Sequence, residues 1–454
     1  MRLLRSVLGA AEVGGYAQHC RLGGWVSTAA SNNLWRRSVF AAMIALGMSG
    51  IAGAQNPVTD WNLIAVNTVA NCTPAISPGC NTGGGAGIYL AYVHLAIYNA
   101  VNAINRRFQP YGPELAAPKD ASPEVAAIAA AYYTLANYLP DQSASLMRQY
   151  QASLSAIPDG PGKDGGVQTG QAAANSIISL RSGDGRGADV PYTFPSGPSA
   201  GVWIPTPPGF LQPQTPWVGK MRPFTMDSPD QFLPNEPPTP LGSTQWADDY
   251  NEVKNLGGTN SVIRTRRQTE IALFWTDSAV RQYSRALRSL AIGAALDIYD
   301  TARLFAMVWT AYTDSFIGCM NAKYHFSFWR PVTAIQNAGI GGNAAAVADP
   351  AWTSLGITPN HPEYPAAHGC VSGAVAATLE GFFGTQDVVL IVNSAVTNTT
   401  HTFTHTSHLE REVFGARIYA GFHYRHSLEQ GFLLGHRVAG HLLDDYFQPS
   451  RDQK

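Results

Sequence analysis

Two cations, Lys323 and Arg330, stand seven residues apart in Lys-Tyr-His-Phe-Ser-Phe-Trp-Arg-Pro. On a helix that spacing is almost two turns, which predicts one shared face with the pair about 10 Å apart along the axis. A guanidinium offers a planar fork and an ammonium a compact charge, so together they suit a tetrahedral or five-coordinate oxyanion. Taken alone they are as readily two surface cations whose stems cover apolar neighbours. Further on, Glu363-Tyr-Pro-Ala-Ala-His368-Gly places Pro365 where it can open a helix whose first N–H groups face an anion, with His368 beside them. Arg417 and His423 add a third guanidinium and a second imidazole, preceded by a capping box at Ser407 and Glu410. Six residues do not share a helical face, so these two converge only through the reach of the arginine or a break near Gly421.

The elements that must position these groups are helical. Residues 87–105 carry apolar side chains on nearly every side and predict a buried helix, in which His94 reads as a core residue. Residues 124–139 and 167–180 are further helices, separated by the Pro/Gly/Asp-rich 157–166. Residues 191–240 hold 14 of the 30 prolines together with Trp203, Phe210, Trp217, Phe224 and Phe232, which predicts an ordered excursion with no long helix. Helices resume at Gln245, and 278–319 hold one or two, with Asp300 a candidate N-cap. No strand-like alternation stands out. The expected fold class is all-α: two helical bundles joined by the Pro-rich excursion, 55–240 and 241–454, with the anion site in the C-terminal bundle.

Composition narrows the partners. The 454 residues carry 30 Lys+Arg against 31 Asp+Glu, so there is no basic field for a polyphosphate and nucleic acid is not expected. Arg36-Arg37, the apolar run 41–51 and Ala52-Gly53-Ala54 read in order as the charged, apolar and cleavage regions of a signal peptide. Residues 1–54 are therefore a targeting region, and the mature chain is expected to be exported, periplasmic or secreted, with no membrane span after cleavage. Cys72, Cys80, Cys319 and Cys370 remain, an even number that permits two disulfides, with Cys72–Cys80 the easier pair.

The combination Lys-x6-Arg-Pro, Pro-x-x-His and Arg-x5-His resembles the three signatures shared by vanadium-dependent haloperoxidases and type 2 phosphatidic acid phosphatases. The helix around His94 and the Trp203-Ile-Pro-Thr-Pro-Pro stretch are similar to the bacterial haloperoxidase-like branch. The resemblance implies that Lys323, Arg330, Arg417 and the backbone N–H of Ala367 hold the oxygens of vanadate or phosphate. It also implies that His368 is the acid–base residue and that His423 is the vanadium ligand or, in a phosphatase, the nucleophile. The implied partners are hydrogen peroxide, a halide and a small organic acceptor, with Lys323 polarising the oxygen that halide attacks; a homo-oligomer is compatible with it.

Some positions depart from that pattern. Ala366, Ala367 and Ala416 stand where the family usually has Ser, Gly and Ser, which removes two hydroxyl donors. Ser427 stands where the phosphatases carry the Asp that orients the nucleophilic imidazole, and this favours the peroxidase reading. His361, seven residues before His368, is a histidine as in the algal bromoperoxidases, which favours bromide or iodide. The alternatives are an exported acid phosphatase using phospho-His423 and a silent oxyanion-binding protein. His401, His405 and His408 lack an acidic third ligand at a suggestive spacing and read as a polar loop leading into a helix rather than a zinc site.

Overall fold

The computed structural model describes residues 56–450, so the signal-peptide reading lies outside the described residues. The fold is that of helical bundles, with 55% of the described residues in helix and 4% in strand. The first helices are α1 (Pro57–Ala70), α2 (Ala86–Ile104), α3 (Pro123–Tyr138), α4 (Ser143–Ser155) and α5 (Pro161–Leu180). Ser122 caps α3 by accepting the Val125 N–H, and Pro123 occupies its first turn, where a missing N–H costs nothing. Helix α5 starts earlier than the sequence spacing suggests, because Pro161 opens it and Gly165 and Gly166 lie inside it. Its Gly170 is required by contact: a Cβ there would sit 2.5 Å from the Ala126 carbonyl oxygen of α3.

α2 is uncharged and 19 residues long, enough to cross a membrane by length and composition, which the sequence reading overlooked. It is instead buried continuously from Ala86 to Asn102, packed on α3, α5 and the long helix α9. The residues from 181 to 243 hold no α-helix, only a 3-10 turn at Pro216–Lys220. They are ordered all the same. Trp203 and Trp217 are buried, and the buried Asp314 of α9 accepts the N–H groups of Phe224 and Thr225 at 2.6 and 2.7 Å.

The C-terminal set comprises α6 (Thr244–Gly257), α7 (Arg266–Phe274), α8 (Ala279–Gly293), α9 (Ile298–Phe326), the short α10 (Pro331–Gln336), α11 (Ala367–Phe383), α12 (Thr406–Tyr419) and α13 (Arg425–Asp445). The cap of α9 is Asp297, not Asp300. α9 is shared by both sets of helices, packing on α2 as well as on α11 and α13. A hairpin of β1 (Leu390–Ser394) and β2 (Thr399–Phe403) was not foreseen; its burial alternates along β1, but five residues per strand give a weak period-two signal. Cys72 and Cys80 form a disulfide, whereas Cys319 and Cys370 are free and buried.

Candidate functional site

Lys323 lies in the last turn of α9, but Arg330 is not on that helix. Ser327 turns left-handed (φ 49°) and ends α9, and Arg330 is extended because Pro331 excludes the helical region for the residue before it. The two cations still converge, through a loop rather than a shared face. Lys323 Nζ donates to the carbonyl oxygens of Pro362 and Glu363 at 2.9 and 2.8 Å. Arg330 Nε donates to the carbonyl oxygen of His361 at 2.9 Å, and its Nη2 to His361 Nδ1 at 3.0 Å. Both cations are fully buried.

His423 sits between α12 and α13. Gly421 supplies the break, with φ +78° and a packing so close that a Cβ would meet the Gly257 carbonyl oxygen at 2.5 Å. Arg330 Nη1 lies 3.1 Å from His423 Nε2. A guanidinium only donates, so Nε2 carries the lone pair and Nδ1 the hydrogen. That hydrogen is directed at Glu363 Oε1, 2.8 Å away. Glu363 Oε1 also accepts the Tyr424 N–H at 3.1 Å, and Oε2 accepts the Ser427 hydroxyl at 3.0 Å.

Arg417 approaches from the last turn of α12. Its Nη1 donates to the Trp275 carbonyl oxygen at 3.0 Å and its guanidinium lies over the Phe422 ring, but its buried Nε has no partner among the described residues. His368, in the first turn of α11, has a buried and likewise unpartnered Nε2. No side chain caps α11, whose helix starts at Ala367, two residues after Pro365. α12 is capped by His405, whose ring accepts from the Ser407 N–H, so the capping box assigned to Ser407 and Glu410 is not formed.

Burial, reinforced by the charges of Lys323, Arg330 and Arg417, pushes His361, His368 and His423 well below the usual histidine range, so all three rings are neutral. Burial lowers Lys323 to about 8 and raises Glu363 to about 7, the latter opposed by Lys323 and Arg330. The buried site thus holds three cations, two of which, Lys323 and Arg330, act on the Glu363 carboxylate. Each unpaired buried group costs about 1–3 kcal/mol. An oxyanion accepting from Arg417 Nε and the first amides of α11 removes that penalty, so the residues fit vanadate or phosphate.

Residues 303–450 match the model of the VCPO second helical-bundle domain. Over these residues the chain is similar to the second helical bundle of the vanadium haloperoxidases. The vanadium chloroperoxidase of Curvularia inaequalis is 26% identical over 206 residues, 38% of this chain and 33% of that relative, so the match spans about a third of the relative's length. A bacterial vanadium-dependent iodoperoxidase structure superimposes with a TM-score of 0.72 at 22% identity, covering 87% of this chain and 98% of that one. A holo-type bacterial vanadium-dependent chloroperoxidase gives 0.68 at 14% identity, covering the same shares. These two likenesses establish the haloperoxidase fold.

Within that bundle Arg330 bonds directly to His361 and His423, Lys323 joins them through the backbone carbonyls of Pro362 and Glu363, and Arg417 and His368 lie within range of their charges. His94 is a core residue, accepting from Asn62 Nδ2 at 2.9 Å. His401 lies on β2 between Glu270 and Glu412 rather than in a loop, and no cluster among the described residues could hold a metal ion. The sequence reading missed Glu363 as a functional residue. The available signal was a lone acid in an otherwise uncharged second motif, combined with the missing acid at 427.

Proposed function

We propose that this chain is an exported vanadate-dependent haloperoxidase that converts hydrogen peroxide, halide and a proton to hypohalous acid and water. The observation that carries the reading is the buried cradle in which Arg417 Nε and His368 Nε2 have no partner among the described residues, with Lys323 and Arg330 beside them. Lys323, Arg330, Arg417 and the Ala367 amide would hold the vanadate oxygens, and His423 Nε2 would be its protein ligand. Vanadate, when bound, supplies Lewis acidity toward peroxide without a change of oxidation state.

The chain's own residues do the rest. His368 is neutral with a free ring nitrogen, so it can take the first proton of incoming peroxide and later deliver one to the departing oxygen. Lys323 retains a third N–H beyond its two carbonyl bonds and stabilises negative charge on the oxygen under attack. Nε2 of His423 has one lone pair, held by Arg330. Arg330 would therefore be the donor placed to grip the anion that His423 holds, its Nη1 lying 3.1 Å from Nε2. A histidine at position 361, as in the algal bromoperoxidases that this stretch resembles, is the ground for proposing bromide or iodide over chloride; its ring accepts from Arg330.

A second reading is a phosphatase, and Glu363 favours it: the carboxylate missing at 427 is supplied from the second motif, so His423 does have the partner a nucleophile needs. The argument from Ser427 against phosphatase chemistry therefore loses its force. The deciding experiment compares bromination of a phenol dye by vanadate-reconstituted protein with peroxide against phosphate release from an aryl monoester without vanadate. Bromination alone, abolished in H423A, supports the haloperoxidase; phosphate release alone supports the phosphatase. Neither activity, together with no vanadate binding, overturns both.

A further inference from the structure

Ser427 does not leave His423 without an acid; it turns another acid toward it. Glu363 is fully buried, and among the described residues the three donors to its carboxylate come from one short segment: the ring Nδ1–H of His423, the N–H of Tyr424 and the hydroxyl of Ser427. Its backbone is fixed independently, the N–H donating to the Phe328 carbonyl at 2.8 Å and the carbonyl accepting from Lys323. A carboxylate held at both oxygens cannot swing away, and a ring that must give its Nδ1 hydrogen to it cannot flip without leaving Glu363 and Arg330 unmatched. Four residues separate His423 from Ser427, so the hydroxyl sits one turn along the start of α13, where it meets Oε2 rather than the imidazole.

We propose that Glu363 is the positioning residue of His423, locking the ring in the Nδ1–H form with Nε2 aimed at the cation cradle, and that Ser427 holds Glu363 in place. The assignment rests on reading His423 as the residue that bonds the oxyanion. It moves a function from the third sequence motif to the second: the acid that orients the imidazole arrives five residues before His368 instead of four after His423. The first and third motifs thus become coupled through one side chain, since Lys323 pins the backbone of the residue that fixes His423.

The test uses the whole chain, with histidine ring nitrogens labelled with 15N and His423 assigned by its loss in H423A. In wild type, Nε2 shows the shift of an unprotonated nitrogen and Nδ1 that of a protonated one. In E363Q the His423 signals become an average of the two tautomers, and vanadate binding measured by calorimetry without peroxide weakens at least tenfold. E363D, which keeps the charge, recovers part of the affinity, and S427A gives an intermediate loss. A wild-type His423 in the Nε2–H form overturns the proposal, as does E363Q with wild-type tautomer and affinity. If E363Q fails to fold, the wild-type tautomer and E363D decide. Wild type that binds no vanadate refutes the oxyanion reading, while the tautomer still decides the role of Glu363.

Discussion

The ammonium of Lys323 stands 2.8 Å from the carbonyl oxygen of Glu363, so the cation that closes α9 also sets the backbone of the residue that holds His423. Replacing Lys323 therefore does two things at once. K323M removes one cation from the cradle and leaves the Pro362 and Glu363 carbonyls unpaired. A charge-assisted hydrogen bond is worth about 1.5–3 kcal/mol, so vanadate or phosphate affinity measured by calorimetry should fall about tenfold to 100-fold. Unchanged affinity would show that Lys323 does not face the anion.

Ala366 is the uncapped N-cap of α11. A serine there can accept an N–H of the first turn and offer its own hydrogen to the oxyanion. A366S should raise unfolding stability by about 1 kcal/mol in denaturant titration, the usual gain of a capping hydroxyl. Vanadate binding should tighten in parallel. A variant that loses both means the hydroxyl does not fit beside the anion.

Gly421 holds the kink that swings His423 toward Arg330. G421A meets both a left-handed φ and a backbone oxygen at 2.5 Å. It should destabilise by about 2 kcal/mol or more and reduce anion binding further than its stability loss explains. Chemical denaturation and calorimetry on the same sample separate the two effects.

Acid should weaken the fold through its buried imidazoles. His94 is lowered to about 3, and His361, His368 and His423 are also shifted down, all mainly by burial. Below about pH 6.5 the unfolded chain takes up protons that these folded rings refuse, so stability falls with pH, by about 1.4 kcal/mol per unit for each ring. Glu363, raised to about 7, acts in the opposite sense between its unfolded value of 4.5 and 7, because the folded protein there binds the extra proton. It offsets one of the four rings. Denaturant titrations from pH 7 to 5 should therefore show stability falling as pH falls, and H94N, which removes a ring far from the cradle, should flatten the slope.

Anion binding should also have an alkaline limit. Lys323 is lowered to about 8 by burial, so oxyanion affinity should decline above that pH as the ammonium discharges. In K323R, whose guanidinium stays charged, the decline should move to higher pH. An identical profile in both would assign the loss to another group.

The types and spacings of residues in the chain determined the helical class, the buried α2, the ordered Pro-rich excursion and the Cys72–Cys80 bridge, and they named candidates for the site without Glu363. These follow from local rules: apolar periodicity, the dihedral limits of proline, and the short list of side chains that grip an oxyanion. Tertiary structure alone decided how that cast meets. Lys323 and Arg330 converge across a left-handed residue and not along one helix face, because Ser327 ends the helix between them and Pro331 keeps Arg330 extended. The partner of His423 is Glu363, sixty residues away in the chain, because only packing α9, α11 and α13 together brings that loop to the imidazole. Local sequence can name a histidine that needs a carboxylate. Which carboxylate reaches it is settled by three dimensions.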